Sequence, residues 1–529
     1  MTDRRRWILV AAVLGSGIVF LDSTVVNVAL PRIGRDLPRS LFGVLEGQSY
    51  VYNAYLLTLS ALLILAGALN DYFGRKRMFA LGLIGFGATS LLCGLAPTME
   101  LLVVFRILQG AAGALLVPGS LALITANFEG EQRGWAFGIW AGASGATTVL
   151  GPFIGGLLVD TISWRAAFLI NVPLILVAIW ATYAHVPESR DENASNKFDW
   201  LGSGIVALAV GGLAFGAIYG GQRDWKDPVG FIALAVGALF TIALPFYMNR
   251  AKHPLIPLQL FKSRNFTVTN ISTLLIYGAL YVTFYYLAIF MQGTLGYTAA
   301  AAGLAGLPGS LFLIFLSARF GKLAGRIGPR WFMAAGPAIM ALGVLWYARI
   351  PATSVPWKLQ LSDPSTFWPT LSYVTDLLPG SILFGIGLTM LVAPLTTALM
   401  ASVPPRNAGL GSAINNAISR VGPQLAGALI FVFLTSAFYS YIGSRVLDLD
   451  VSSFHFRQLV SPLNPSRDPA LAGVVRDAST ASFHLAMLLG VALLLVGALV
   501  NALWIRNAPA AAPAHADAPA PAGAVGEGA

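Results

Sequence analysis

Long apolar runs, each broken by a few basic, acidic, Gly or Pro residues, recur along this chain from residue 7 to residue 505. A bilayer is crossed by a helix of ~20 apolar residues. By that measure the runs predict fourteen spans, near 7–30, 44–69, 78–97, 101–126, 135–158, 166–186, 200–220, 229–249, 266–291, 298–318, 331–349, 374–400, 408–437 and 482–505. Backbone polar groups in lipid must find partners within their own segment, so the runs read as helices and the protein as an all-α polytopic membrane protein. Against this background a charged residue inside a run stands out. Asp22 lies deep in the stretch Trp7–Pro31, where a carboxyl group is costly and marks function by default. Arg106 and Arg420 are the cations within spans. At ~1.5 Å per residue, Asp22 on an outward first helix and Arg106 on an inward fourth helix reach similar height in the outer half of the membrane.

Composition agrees: of 529 residues, 56% are hydrophobic and 11% charged, against about 25% charged in soluble domains. The net charge of +10 sits in short connections such as Arg75-Lys76-Arg77, where it sets topology rather than binding nucleic acid. It places the N-terminus in the cytoplasm, and an even number of spans returns the C-terminus there. The apolar run after Arg4-Arg5-Arg6 is too long for a cleaved leader and reads as a retained first helix. The lone Cys93 excludes an internal disulfide and a thiolate metal site. No His/Cys/carboxylate spacing for a metal, nucleotide-cradling Gly-Lys-Ser/Thr loop or nucleophile elbow is present, so neither an enzyme nor an ATP-driven pump is expected.

An internal repeat divides the chain. Gly67-Ala68-Leu69 through Gly74-Arg75-Lys76 is echoed 254 residues later by Gly321-Lys322-Leu323 through Gly328-Pro329-Arg330. Gly151-Pro152 is echoed by Gly422-Pro423, 271 residues on. Both copies of the first element face the same side, which implies parallel halves. The expected division is a six-helix bundle over 1–190, two inserted helices over 191–264, a second six-helix bundle over 265–507 and a disordered Ala/Pro-rich tail over 508–529.

Four ordered segments carry a resemblance to the major facilitator superfamily, in particular its fourteen-helix drug/proton antiporters: Leu21–Pro31, Gly67–Arg77, Arg106-Ile107-Leu108-Gln109-Gly110 and Gly151-Pro152-Phe153-Ile154-Gly155-Gly156. The resemblance implies two pseudo-symmetric bundles plus two inserted helices. It further implies a proton-coupled exporter of amphipathic or cationic small molecules in the inner membrane, working by alternating access as a monomer, with the proton gradient and no cofactor as its energy source. Asp22 with Arg106 would couple protons; the alternative is a static ion pair. Gly67, Asp71, Gly74, Arg75 and Lys76 would latch the cytoplasmic gate, or serve only as a topogenic loop. Gly151, Pro152, Gly155 and Gly156 would form a hinge, or a plain small-residue packing face. Asn27, Gln109, Tyr281 and Tyr285 are candidate cavity residues. Arg420 is a second-half charge that could equally bind carbonyls or lipid. Export of a lipid or metabolite by the same fold is the rival function, motivated by the long outer segments 350–373 and 438–481; a membrane-embedded enzyme or receptor is the remotest.

Overall fold

The computed structural model describes residues 3–41, 43–128, 130–189, 199–223, 227–251, 258–403, 408–446, 450–466 and 468–507. The expected disordered tail 508–529 lies outside them. Every regular element among these residues is helical. In chain order they are α1 (Asp3–Asp36), α2 (Val44–Phe73), α3 (Arg75–Gly94), α4 (Met99–Asn127), α5 (Gly130–Thr161), α6 (Ala166–Leu169), α7 (Asn171–His185), α8 (Trp200–Gln222), α9 (Pro228–Arg250), α10 (Arg264–Ile289), α11 (Ala299–Ala305), α12 (Leu307–Ile327), α13 (Arg330–Tyr347), α14 (Leu378–Ala401), α15 (Ala408–Arg445), α16 (Phe454–Leu459) and α17 (Ala472–Trp504). Eleven segments among the described residues are long and apolar enough to cross a membrane. With α2, α5 and α13, and with α6–α7 and α11–α12 each forming one rod, the helices make fourteen rods.

Helix ends depart from the apolar runs. The first helix extends from Asp3 to Asp36, α15 runs on to Arg445, and α17 starts at Ala472. Hydropathy marks the lipid-embedded part, whereas a helix continues into polar residues for as long as its backbone bonds do. The expected long segment 438–481 therefore shrinks to the connection between Arg445 and Ala472, which itself holds α16.

The repeat has a structural meaning. Gly74 (φ 106°) separates α2 from α3, and Gly328 (φ 91°) stands between α12 and α13. Both adopt a positive φ that only glycine takes without strain. A Cβ at Gly151 of α5 would collide with Thr24 of α1, and one at Gly422 of α15 with the Leu274 carbonyl of α10. Each Gly-Pro step thus seats the fifth rod of a bundle against its first. The ends of α1 and α10 meet, since Gln292 Nε2 donates to the Val28 carbonyl at 3.1 Å. The start of α10 adjoins the end of α17, where Arg264 Nε donates to the Trp504 carbonyl at 2.9 Å. The start of α1 and the end of α17 therefore lie at one end of the bundle pair, called here the terminal end; the other is the far end.

The inserted pair lies beside the seam between bundles. Ala217 of α8 packs with Ala428 of α15 and Tyr50 of α2, and Val206 packs with Ile414 and Ala417 of α15. The α9 helix leaves Phe231, Ile232, Leu239, Ile242 and Phe246 exposed, an apolar face suited to lipid.

Candidate functional site

Asp22 is wholly buried, and so are Arg106, Gln109, Ser90 and Asn171. Arg106 donates from one terminal nitrogen to Asp22 Oδ2 and, at 2.8 Å, to Gln109 Oε1. Asp22 Oδ1 accepts from Gln109 Nε2 at 3.1 Å and from Asn171 Nδ2 at 3.0 Å. Ser90 Oγ takes further bonds from Gln109 and Asn171 and donates to the Phe168 carbonyl at 2.9 Å. Arg106 Nε reaches the Val51 carbonyl at 3.1 Å, and its guanidinium lies 4.1 Å from the Tyr55 ring centroid. Five rods of the first bundle contribute: α1, α2, α3, α4 and α7. The spacing Arg106–Gln109 is one helical turn, so α4 presents both groups on one face.

This cluster satisfies its carboxylate, while the second terminal nitrogen of Arg106 and Oδ1 of Asn171 are buried without a partner. Removing one partner of a buried ion pair costs ~3–5 kcal/mol. The pair can therefore part only when the helices around it shift or another group takes the place of a partner. Gln109, a candidate cavity residue, is wholly buried inside the ion-pair cluster. Cys93 is buried, and its thiol faces Gln109 Oε1 at 3.5 Å. Asn171 and Ser90 were missed. Asn171 follows the apolar Phe168-Leu169-Ile170, and a polar residue there was the available signal.

At the terminal end the α2–α3 turn is clasped by a residue outside the motif. Glu188 accepts from the backbone amides of Lys76 and Arg77 at 3.1 and 3.2 Å, and its carboxylate lies 3.7 Å from Arg77 Nε. A Cβ on Gly74 would lie 2.7 Å from Glu188 Oε1, so the glycine makes room for the clasp. Lys76 Nζ donates to the Tyr183 carbonyl and the Arg75 amide to the Ser189 carbonyl. The side chain of Asp71 lies outside the described residues. A Cβ on Gly67 would lie 3.8 Å from Pro118 Cβ.

At the far end the two bundles are joined. Gln48 and Asn464 exchange amide hydrogen bonds of 3.2 and 3.3 Å across the seam. Asp160 of α5 accepts from the amides of Ala299 and Ala300 at the start of α11. A Cβ on Gly156 would strike the Ala299 carbonyl, and one on Gly303 the Pro152 carbonyl. Of the four residues in the Gly-Pro motif, then, Gly156 and Pro152 meet the other bundle, whereas Gly151 and Gly155 pack on α1. Gln292 sits in a π-helical turn over Phe290–Leu295, and its carbonyl accepts from Arg35. The neighbouring Leu463 has φ 61°, a left-handed conformation that a branched side chain resists. Among the described residues, the side-chain hydrogen bonds that join the two bundles lie at this end.

Between the bundles, α2, α10 and α15 line a small cavity of about 20 Å³, with Ser49, Tyr52, Tyr281, Tyr285, Tyr286 and Phe431 on its wall, among others. Tyr281 and Tyr285 thus stand on its wall, with the Tyr52 and Tyr285 rings 5.2 Å apart. Asn27 of α1 is half-buried and its Oδ1 has no partner. Arg420 of α15 lies 6.0 Å from the Phe20 ring of α1.

The profile of the Major Facilitator Superfamily matches residues 12–428. The puromycin resistance protein of Streptomyces alboniger is 33% identical over 84% of this chain and 84% of that protein. The tetracenomycin C resistance and export protein of Streptomyces glaucescens is 32% identical over 81% of this chain and 76% of that one. Among solved structures, a bacterial homolog of the human lysosomal transporter Spinster, inward-facing and occupied, superposes with a TM-score of 0.64 at 16% identity, covering 95% of this chain and 97% of that one. A D-xylose–proton symporter follows with a TM-score of 0.57 at 14% identity, covering 96% and 99%.

Proposed function

This chain belongs to the major facilitator superfamily, and from that premise we propose that it is a proton-coupled antiporter exporting amphipathic small molecules by alternating access. At the coarser level it is a multi-pass transporter of the cell membrane, of the multidrug-efflux kind, and not an enzyme. The observation that carries the finer reading is the pairing of Asp22 with Arg106 at the heart of the first bundle. A buried acid whose charge is balanced by a single cation has two stable conditions: paired, or protonated with the cation released to other partners. Rocking of the bundles about the α5–α11 crossing would change which condition is favoured. It would also change which side supplies the proton. Substrate enters from the terminal end, taken as cytoplasmic for its basic connections, and leaves when the Gln48–Asn464 and Asp160–α11 contacts part. On this reading the working unit is one chain and the proton gradient supplies the energy. The turn clasped by Glu188 fixes the α2–α3 corner of the cytoplasmic gate.

The test is pH-gradient-driven flux in proteoliposomes. Wild-type protein should accumulate an amphipathic dye against its gradient when the lumen is acidic. Asp22→Asn should bind dye yet lose the response to the pH gradient. A mutant that keeps gradient-driven accumulation would overturn the coupling role.

A further inference from the structure

The α15 face that meets the first bundle carries an unbalanced charge, beside the cavity. Asp22, the acid deepest in the spans, is saturated by Arg106, Gln109 and Asn171 and exposes no surface. The second bundle faces the cavity with α10 and α15, and neither helix contains an Asp or Glu. Nor do α11, α12, α13 and α14. Arg420 nevertheless projects from α15 toward the first bundle and sits over Phe20. Among the described residues it makes no hydrogen bond and no ion pair.

One turn along, Gln424 is 1% exposed, and neither its amide nitrogen nor its amide oxygen has a partner. Buried amides are almost always satisfied, so an orphan of this kind needs an explanation. Residues at i, i+3, i+4 and i+7 share a helical face. Gln424 therefore continues the stripe of Gly427, Ala428 and Phe431, which line the cavity. A guanidinium and an amide four residues apart offer a planar fork and an added N–H donor to one anion. The tyrosine wall beside them suits an apolar or aromatic body.

We propose that Arg420 and Gln424 form the recognition site for the acidic group of the exported molecule. The substrate class is then an amphipathic organic anion, with a carboxylate or phosphate on an apolar body, rather than a cation. This deepens the transport reading above and rests on it for the direction of movement, but its test needs no flux. The deep carboxylate is left to the proton, and the cargo binds the opposite bundle, so the two ligands occupy separate groups linked by the rocking motion.

Equilibrium binding to purified full-length protein in neutral detergent discriminates. Pyrenebutyrate is the anionic probe and pyrenebutyl-trimethylammonium its cationic counterpart. Wild type should bind the anion at least tenfold more tightly. Arg420→Gln should abolish that preference, and Arg420→Lys should retain part of it. Gln424→Leu removes two orphaned atoms, so its thermal stability should hold or rise while anion affinity falls about threefold; a purely structural residue would not separate these readouts. Competition with dioleoylphosphatidic acid, added at one lipid per protein, distinguishes the source of the anion. Displacement assigns the site to a lipid phosphate, and its absence to a soluble acid; both leave the anion site standing. Equal or tighter binding of the cation by wild type, an unchanged preference in folded Arg420→Gln, or no binding of either probe would overturn the proposal. Failure of the transport reading would appear differently, as anion binding intact without pH-driven flux.

Discussion

In the first bundle Asp22 of α1 is met by Arg106 of α4 and enclosed by the amides of Gln109, also on α4, and Asn171 on α7. In the second, α10 has no acid and α14 no arginine; Arg420 of α15 points across the seam instead. The helix-joining geometry is nevertheless shared, down to the positive-φ glycines at 74 and 328. Even the clasps at those turns correspond. Glu188, just after the sixth rod, holds the start of α3, while Asn507, just after the last rod, accepts from the Arg330 amide at the start of α13. Backbone architecture was thus duplicated and kept, and charge was placed in one copy. A pair of like bundles with unlike electrostatics can respond to a proton in one half and to cargo in the other.

The sharpest way to break this asymmetry is to remove the ion pair in steps. Asp22→Asn leaves a buried, unpaired guanidinium and should destabilise the protein by ~3–5 kcal/mol, read as a fall in thermal midpoint. Arg106→Gln should do similar damage. The double substitution should recover most of the stability but none of the gradient-driven flux. If the double variant transports with a pH gradient, the first bundle is not where the proton acts.

Next in size is the crossing of the bundles at the far end. Gly156→Leu places a branched side chain where a Cβ already meets the Ala299 carbonyl, and overpacking of this sort costs ~1–3 kcal/mol. The closed far end should be lost, so a cysteine introduced at Gln48 should become reactive to a membrane-impermeant maleimide, and flux should drop at least tenfold. Gly151→Leu meets α1 within one bundle and should lower stability without opening position 48. Smaller still is the Gln48–Asn464 exchange. A double-mutant cycle with Leu at both positions should report ~1 kcal/mol of coupling, and each single variant should favour the open far end.

Much of this was legible in the sequence because membranes simplify the grammar. Fourteen apolar runs marked fourteen rods, and Asp22 and Arg106 were conspicuous as charges in hydrocarbon. Their similar height followed from depth, since helix rise converts residue count to height; that their helices are neighbours came from the family resemblance. What stayed hidden depends on lateral neighbours, about which hydropathy is silent. Gln109 looked like a cavity residue, yet its helix turns it into the ion-pair cluster. Glu188 is one loop acid among several charges, and only the fold brings it to the α2–α3 turn. Asn464 lies more than four hundred residues from Gln48, its partner. The seat of α8 along α15 and α2 could not be inferred from its uniformly apolar composition. Asp71, prominent in its motif, is a residue whose side chain falls outside the described set.

The finest test exchanges the two clasps. Glu188 keeps about two-fifths of its side chain in solvent, and Arg77 over three-quarters, so their ion pair is screened and worth less than about 1 kcal/mol. The two backbone amides that Glu188 accepts from are the larger part, because a carboxylate complements the positive start of α3. Glu188→Gln should therefore lower stability by less than ~1 kcal/mol, with the loss shrinking at high salt. Asn507→Asp should do the reverse at the start of α13 and stabilise by ~0.3–1 kcal/mol. Combined, the two variants move the acidic clasp from one bundle to the other at constant net charge. If flux depends on which bundle holds the acid, the combined variant will transport more slowly than wild type despite similar stability. If the clasps serve only to cap helices, flux will be unchanged, and the asymmetry that matters will be confined to Asp22, Arg106 and Arg420.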